Sequence, residues 1–176
     1  MNATGTIRPE VQHFHDLLTQ FETAMLITRA EDGSMRARPM GIAKVEDDSS
    51  LWFFTSVESG KAHEIEKDNH VHVTLQNDRG TYVSLAGTAK LHRERDRMVK
   101  LWRDSLKIWF PAGPEDPEMA LIHVISKDGE YWDSEGFNKI KYLLAAARAY
   151  AAGEKFIVED SNQHATVHLV DHDSEK

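Results

Sequence analysis

The sequence predicts a mainly β domain, a small closed antiparallel barrel with helices at its edges. Short apolar segments are separated by tight turns, and two of these turns contain the Asp-Gly pair typical of hairpins, Asp32-Gly33 and Asp128-Gly129. No long helical crossover separates successive strands, which excludes a doubly wound parallel sheet. The chain has 176 residues and no cysteine, so it forms one domain, or one domain with a tail, without disulfides.

Composition excludes several classes of partner. The chain carries 21 Lys and Arg against 29 Asp and Glu, a net charge of −8, whereas a surface that coats nucleic acid is positive. The longest helical apolar stretch, residues 142–152, contains Arg148 and is far shorter than the roughly 20 apolar residues of a membrane span. The first ten residues lack the apolar run of a secretory signal, so we expect a cytoplasmic protein.

The first half of the chain is predicted to form a helix, then three strands, then a second helix. Apolar residues at three- and four-residue steps after Pro9 predict an amphipathic helix. They are Val11, Phe14, Leu17, Leu18 and Phe21. Strands are predicted over residues 24–28, 35–45 and 51–55 because apolar runs there end at turn residues. Ser59 is a suitable N-cap for a helix over residues 59–66.

The second half predicts four further strands. Residues 70–76 and 81–91 alternate, with Gly87 as a bulge, and a helix follows over 94–106. Strands over 119–126 and 131–133 flank the second Asp-Gly turn. Asn138 can cap a helix through Ala152 that Gly153 ends. We therefore predict a domain over residues 10–153 and an acidic, weakly ordered tail over 154–176, with one apolar patch at 167–170.

The segment from Thr55 to Lys61 is the first candidate binding site. A strand ends there, hydroxyl groups cluster at Thr55, Ser56 and Ser59, and a helix begins with Lys61 in its first turn. The N–H groups and positive partial charge of a helix N-terminus favour phosphate. A lysine so early in a helix opposes the helix dipole, so a bound anion would stabilise it. The alternative is an ordinary serine N-cap beside a solvated lysine.

The strand that contains Arg38 and Pro39 is the second candidate. Arg36, Arg38 and Met40 share one strand face. Proline has no amide hydrogen, so Pro39 indicates an edge or irregular stretch whose backbone groups can meet a ligand. Arg38 can reach the same phosphate if this strand pairs with residues 51–55. The alternative is a pair of surface arginines.

Other motifs are weaker or missing. Trp109 and Trp132 could cover a flat ring system, although indoles more often close a core or an interface. The sequence lacks the glycine-rich dinucleotide and nucleoside-triphosphate motifs and the zinc-protease helix. Histidines repeat at His70 and His72 and again in the acidic tail, but no convergent third ligand accompanies them. We therefore predict no metal site.

Taken in order, these segments resemble the pyridoxamine-phosphate-oxidase-like FMN-binding split barrels. The segments that carry the resemblance are residues 36–40 (Arg-Ala-Arg-Pro-Met), 51–56 (Leu-Trp-Phe-Phe-Thr-Ser), 59–66 (Ser-Gly-Lys-Ala-His-Glu-Ile-Glu) and 82–89 (Tyr-Val-Ser-Leu-Ala-Gly-Thr-Ala). The loop over 109–117 and the segment over 131–134 resemble the bacterial general stress protein branch. The similarity covers roughly Phe14 to Tyr150.

The resemblance implies a six-stranded antiparallel split barrel of Greek-key type with peripheral helices. It also implies a homodimer with two FMN sites at the interface, each built from both chains, and FAD is an alternative cofactor. The residues that should hold the phosphate and ribityl chain are Arg38, Thr55, Ser56, Ser59 and Lys61. The backbone at Pro39 and Met40 should border the flavin ring, Gln76 should make a polar contact, and Trp109 of the partner should pack near the ring.

The sequence departs from true pyridoxamine phosphate oxidases in two places. Those enzymes usually have two adjacent basic residues where this chain has Gly60-Lys61, and they end in an Arg-x-His motif that is absent here. We therefore predict an FMN-binding protein of the general stress type, with oxidoreduction of an unidentified substrate as one activity and no assignable catalytic residue. A flavin reservoir or sensor, a haem-binding relative with His63 or His123 as ligand, and a structural dimer without ligand stay open as alternatives.

Overall fold

The computed structural model describes residues 8–133 and 164–169. Within them the predicted barrel is confirmed: six antiparallel strands follow the order β3-β2-β1-β4-β5-β6, and pairing of β3 with β6 closes the wall. The strands are β1 (Thr23–Arg29), β2 (Met35–Val45), β3 (Leu51–Ser56), β4 (His70–Gln76), β5 (Tyr82–His92) and β6 (Met119–Trp132). Because β4 returns to lie beside β1, the first four strands form a Greek key.

In the part of the chain that the structure describes, three α-helices flank the barrel: α1 (Pro9–Leu18), α2 (Gly60–Lys67) and α3 (Arg95–Leu101). Alternate strand residues such as Leu26, Phe53 and Val73 fill the interior, and α1 packs its apolar face against this core. The predicted bulge at Gly87 is confirmed, since the register between β5 and β6 shifts between Ala86 and Gly87. None of the helices that the structure describes is long and apolar enough to cross a membrane.

The predicted second Asp-Gly hairpin is wrong. Residues 119–132 form one continuous strand, and Gly129 pairs with Leu85 and with Val167. A Cβ atom at Gly129 would lie 2.4 Å from the ring of Phe14 on α1. The glycine is therefore needed for close helix-to-strand packing, whereas a tight hairpin turn would need it at positive φ, which it does not adopt.

Two other predictions need revision. Within the segment predicted as a weakly ordered tail, residues His164–His168 form strand β7, which pairs with β6 and buries Val167 in the core. The predicted helix over 94–106 ends at Leu101, and a separate 3₁₀ helix follows at Asp104–Ile108. The helix predicted from Asn138 through Ala152 lies outside the described residues.

A cluster of aromatic and basic side chains fixes α3 to the outside of the barrel. The ring of His123 stacks on Trp52 with centroids 3.9 Å apart and planes 3° from parallel, and His92 contacts Trp52 edge-on at 5.2 Å. The guanidinium of Arg97 on α3 lies 4.3 Å from the Trp52 ring centroid. The His123 Nε2 is 2.9 Å from the Ser50 hydroxyl. The Trp52 indole is thus in contact with two imidazole rings and one guanidinium group.

We expect this cluster to make the free energy of unfolding decrease as the pH becomes acidic. Burial lowers the pKa of His123, and the charges of His92 and Arg97 lower it further, while nearby Asp48 and Glu46 only partly oppose them. The pKa of His123 is therefore lower in the folded than in the unfolded chain. The contribution of the neutral imidazole to the free energy of unfolding is fully present above the ordinary histidine pKa of about 6.5 and is lost as pH falls below it. His123→Gln should therefore lose less stability than the wild type between pH 7 and 5.

Urea unfolding at several pH values measures this difference. His63→Gln is the matched control because His63 is exposed on α2 and away from the cluster. If the wild type and His123→Gln lose the same free energy of unfolding between pH 7 and 5, the expectation is contradicted.

Candidate functional site

The barrel wall is joined along only part of the boundary between β2 and β3. The two strands pair only at Ile42 with Phe53, Lys44 with Trp52 and Val45 with Leu51. Residues 35–41 of β2 pair with β1 alone, and residues 54–56 of β3 pair with β6 alone, among the strands that the structure describes. This opening is the split of the barrel, and Pro39, which lacks an amide hydrogen, lies at its edge.

A cavity of about 350 Å³ lies in this split. Six of the nine predicted site residues line it: Pro39, Met40, Thr55, Ser56, Lys61 and Trp109. Four lining residues were missed by sequence reasoning, namely Gly41, Phe54, Leu106 and Phe110. Strand alternation places Phe54 on the same face of β3 as Ser56, a signal that could have identified it. The cavity therefore combines hydroxyls and one ammonium with aromatic and aliphatic surface.

The polar end of the cavity is organised by the start of α2. Ser59 is the N-cap, and its Oγ accepts a hydrogen bond from the Ala62 amide at 3.3 Å. The hydroxyls of Ser59 and Thr55 are 2.9 Å apart, and the Ser56 Oγ accepts from the Glu58 amide at 3.2 Å. Ser59 does not line the cavity, so the structure shows it holding Thr55 and the helix start in place.

Lys61 provides the positive charge at this end. Its side chain is half-buried and has no hydrogen bond or ion pair with any other residue in the described part of the chain. Burial lowers its pKa, the neighbouring charge of Arg38 lowers it further, and Glu64 opposes the decrease. An anion beside the ammonium group would offset both the loss of hydration and the repulsion by Arg38.

Arg38 lies behind the cavity rather than on its lining. Its guanidinium donates to Glu64 Oε2 at 2.6 Å and contacts the Thr28 hydroxyl, which itself donates to the same carboxylate oxygen at 2.6 Å. Thr28 is fully buried and Glu64 is 7% exposed. A contact between Arg38 and a phosphate stays a prediction, and the pairing with Glu64 was missed because these residues are 26 positions apart.

The surroundings of Glu64 favour its carboxylate form. Burial alone would raise the pKa of its carboxyl group, but hydrogen bonds from Thr28 and Arg38 and the charges of Arg38 and Arg36 outweigh burial and hold the pKa below its usual value. Arg36 adds a second, longer ion pair at 3.4 Å to Glu64 Oε1. One buried carboxylate therefore joins β1, β2 and α2.

Gln76 does not line the cavity that contains Lys61. It lines a separate cavity of about 500 Å³ on the outer face of the sheet, together with Met25, Tyr82 and Trp132, and only Pro39 borders both cavities. The Tyr82 and Trp132 side chains are 49% and 41% exposed. Within one chain, the structure does not bring Gln76 to the site that contains Lys61.

Trp109 lines the cavity of its own chain. The position of the partner's Trp109 near the flavin, which the resemblance implies, stays a prediction. The Trp109 side chain is 73% exposed and the adjacent Ile108 is 78% exposed, which leaves a large apolar surface at the cavity mouth. The two histidines considered as haem ligands do not line this cavity: His63 borders another cavity beyond α2, and His123 stacks on Trp52.

Sequence comparison identifies related proteins. The family model described as pyridoxamine 5'-phosphate oxidase like matches residues 9–157. The protein bli-3 of Neurospora crassa is 32% identical over 130 residues, which cover 66% of this chain and 62% of that protein. General stress protein 26 of Bacillus subtilis is 30% identical over 117 residues, 64% of this chain and 81% of that protein. The chain thus spans less than two thirds of the Neurospora relative.

Structural comparison identifies proteins of the same general stress type. The general stress FMN/FAD binding protein of Xanthomonas citri superposes with a TM-score of 0.62 at 26% identity, over 73% of this chain and 92% of that one. General stress protein 26 of Bacillus anthracis gives the same TM-score and identity over 68% and 91%. The family model spans most of the chain and the fold is the same split barrel. The chain therefore belongs to the pyridoxamine 5'-phosphate oxidase-like family, as the sequence resemblance predicted.

Proposed function

We propose that the protein is a flavoprotein of the general stress type that binds FMN in the split between β2 and β3. The observation that carries the proposal is the half-buried Lys61, which has no partner among the described residues. It lies beside Thr55 and Ser56, at one end of a cavity whose remaining wall is largely apolar. A phosphate dianion fits the ammonium and hydroxyl end. A flat ring fits the end formed by Trp109 and Phe110.

The chemistry of the lining supports a flavin. Ligand cavities typically combine an apolar wall with a few polar groups that fix orientation. Backbone groups of β2 near Pro39 lack a partner strand on the split side among the described strands, so they are available to the polar edge of a ring. The Xanthomonas citri protein, similar in fold and sequence, is described as binding FMN or FAD. We favour FMN because one terminal dianion matches one cluster of donors.

The flavin would supply the redox chemistry, and the protein would bind and orient it. We propose oxidoreduction of an unidentified substrate as the activity. A reservoir or sensor of flavin is the second candidate, because the described lining contains no carboxylate or imidazole that could donate a proton. Turnover with reduced nicotinamide donors separates the two: flavin reduction supports the oxidoreductase, and tight binding without reduction supports the reservoir.

We also propose a homodimer. The outer sheet face exposes Tyr82 and Trp132, and the cavity mouth exposes Ile108 and Trp109, so large apolar side chains face water at both places. Pairing of two chains would cover these side chains and could bring Gln76 to the site of the other chain. Sedimentation equilibrium should give twice the mass of 20.0 kDa, and Trp132→Asp should weaken association. A monomer at all concentrations would contradict this arrangement.

Titration of the purified protein with FMN, riboflavin and FAD tests the binding proposal. Flavin fluorescence should be quenched with saturation near one FMN per chain, and riboflavin should bind at least about tenfold more weakly because it lacks the phosphate. Tighter binding of FAD than of FMN would identify FAD as the cofactor. No saturable binding at micromolar flavin would remove the proposal, and a Soret band on haem addition would then favour the haem alternative.

A further inference from the structure

We infer that protonation of the two histidines in contact with Trp52 loosens the ring end of the cavity, so that a flavin is held tightly at neutral pH and released in weak acid. The two histidines are His92 and His123. The inference rests on the proposed function, because it concerns the apolar end of the same cavity. It gives the attachment of α3 to the barrel a role in binding.

The apolar wall of the cavity and the surroundings of Trp52 belong to one hydrophobic cluster. Its buried members are Trp52, Met98, Phe110, Met119 and Leu121, and the side chains packed against them include Phe54 and Leu106. Three residues of this cluster, Phe54, Leu106 and Phe110, also line the cavity. Because protein interiors are close-packed, a displacement of Trp52 or of α3 is transmitted to the cavity wall.

Helix α3 connects this cluster to the cavity wall. Met98 of α3 is buried in the cluster. The guanidinium of Arg97 lies 4.3 Å from the Trp52 ring centroid and 3.5 Å from Glu46 Oε1. The chain continues from the end of α3 into the 3₁₀ helix that carries Leu106. Loss of the Arg97 contacts therefore also loosens one wall of the cavity.

The contacts of His92 suit a neutral imidazole. Its Nδ1 is 3.3 Å from a carboxylate oxygen of Glu94, the residue that precedes α3. Its Nε2 is buried and has no hydrogen-bond partner among the described residues. A proton on Nε2 would bury an N–H donor without an acceptor there, which is costly. Protonation of His92 therefore favours movement of the ring towards water.

A positive charge on His123 meets no unpaired carboxylate among the described groups that face it. These groups come from β2 and the turn after it, from β5 and from α3, and they are Lys44, Glu46, Asp48, Lys90, His92, Glu94 and Arg97. The three carboxylates of this set are already paired with Lys44, with Arg97 or with the Ser50 amide. The lowered pKa of His123 agrees with this arrangement.

Protonation of either ring therefore weakens the attachment of α3. Arg97 and a protonated imidazole are like charges in contact with one indole, and movement of α3 away from the barrel relieves their repulsion. Leu106 and Phe110 then lose part of their support. Because proton and ligand act on the same equilibrium, a flavin that requires this wall must in turn keep the histidines neutral.

Titration of riboflavin at pH 7 and pH 5 tests the inference, since riboflavin lacks the phosphate that itself ionises at about pH 6. The wild type should bind riboflavin about fivefold more weakly at pH 5, and His123→Gln should lose less than about twofold. Circular dichroism at both pH values verifies that the proteins stay folded. His63→Gln is the matched control: His63 is exposed on α2, and this variant should behave as the wild type.

Arg97→Gln is a second test that requires no histidine to titrate. The Arg97 side chain is 39% exposed, so its replacement should not prevent folding. It should weaken FMN and riboflavin alike by about two- to fivefold at pH 7, because it acts on the ring end of the cavity. Arg97→Lys should restore most of the affinity, since an ammonium group also binds an aromatic face. Lys61→Ala, at the phosphate end, should weaken FMN alone.

Two results would overturn the inference. One is an equal pH dependence of riboflavin binding in the wild type and in His123→Gln, and the other is an unchanged riboflavin affinity in Arg97→Gln. Absence of flavin binding to the wild type at pH 7 is a separate result, because it requires neither acid nor a variant. It would remove the proposed function, and this inference with it.

Discussion

Replacing Lys61 by alanine should weaken FMN binding by about 1.5–3 kcal/mol, roughly ten- to hundredfold, and leave riboflavin binding nearly unchanged. The ammonium group is the one charged side chain in the described lining of the cavity, and no described side chain pairs with it. A phosphate beside it would therefore gain a charge-assisted hydrogen bond that no other lining residue can replace. Quenching of flavin fluorescence during titration gives both affinities.

Lys67→Ala provides the matched control. Lys67 ends the same helix, is exposed, and forms an ion pair with Glu31 at 2.6 Å. Lys67→Ala changes the net charge by the same amount as Lys61→Ala. Because Lys67 is at the opposite end of the helix from Lys61, FMN binding should change little. Equal losses in the two variants would indicate a general effect of charge, and an unchanged affinity in Lys61→Ala would place the phosphate elsewhere.

Gly87→Ala should lower the free energy of unfolding by about 1–3 kcal/mol, a large effect for the addition of one methyl group. A Cβ atom at this position would lie 2.2 Å from the carbonyl oxygen of Ile125 and 3.0 Å from its carbonyl carbon. Both are backbone atoms of the neighbouring strand, so they can move only if the bulge between β5 and β6 is rearranged. Urea unfolding followed by circular dichroism measures the loss.

Gly41→Ala is the control for this substitution. Gly41 is also in a strand, but nothing lies within 4 Å of the point that a Cβ atom would occupy, and its φ is not positive. Its replacement should be neutral or slightly stabilising, since alanine reduces the conformational entropy of the unfolded chain. A Gly87→Ala protein as stable as Gly41→Ala would mean that the bulge adapts at little cost.

Features set by neighbouring residues could be predicted from the sequence. The N-cap at Ser59, the bounds of β2 and the first Asp-Gly hairpin all follow from interactions within a few positions. The second Asp-Gly pair failed for a tertiary reason: Gly129 accommodates the ring of Phe14, which lies far earlier in the chain. The same turn signature can therefore indicate either a hairpin or a point of close packing.

The candidate site shows the same division. Thr55, Ser56 and Lys61 are near one another in sequence, and the structure places them in one cavity. The partnership of Glu64 with Arg38 depends on how α2 packs against β1 and β2, which no local pattern reports. Gln76 is separated from Lys61 because alternation directs it to the outer sheet face, where it lines another cavity.

The opening between β2 and β3 has a further consequence for solubility. A fully closed barrel has no free strand edge, but this one keeps two short edges that another extended chain could join by backbone hydrogen bonding. The β2 edge carries two arginines and Pro39, residue types that discourage such joining. A ligand held in the cavity would cover residues 39–41 of β2 and residues 54–56 of β3. Occupancy of this site should therefore protect the protein against aggregation.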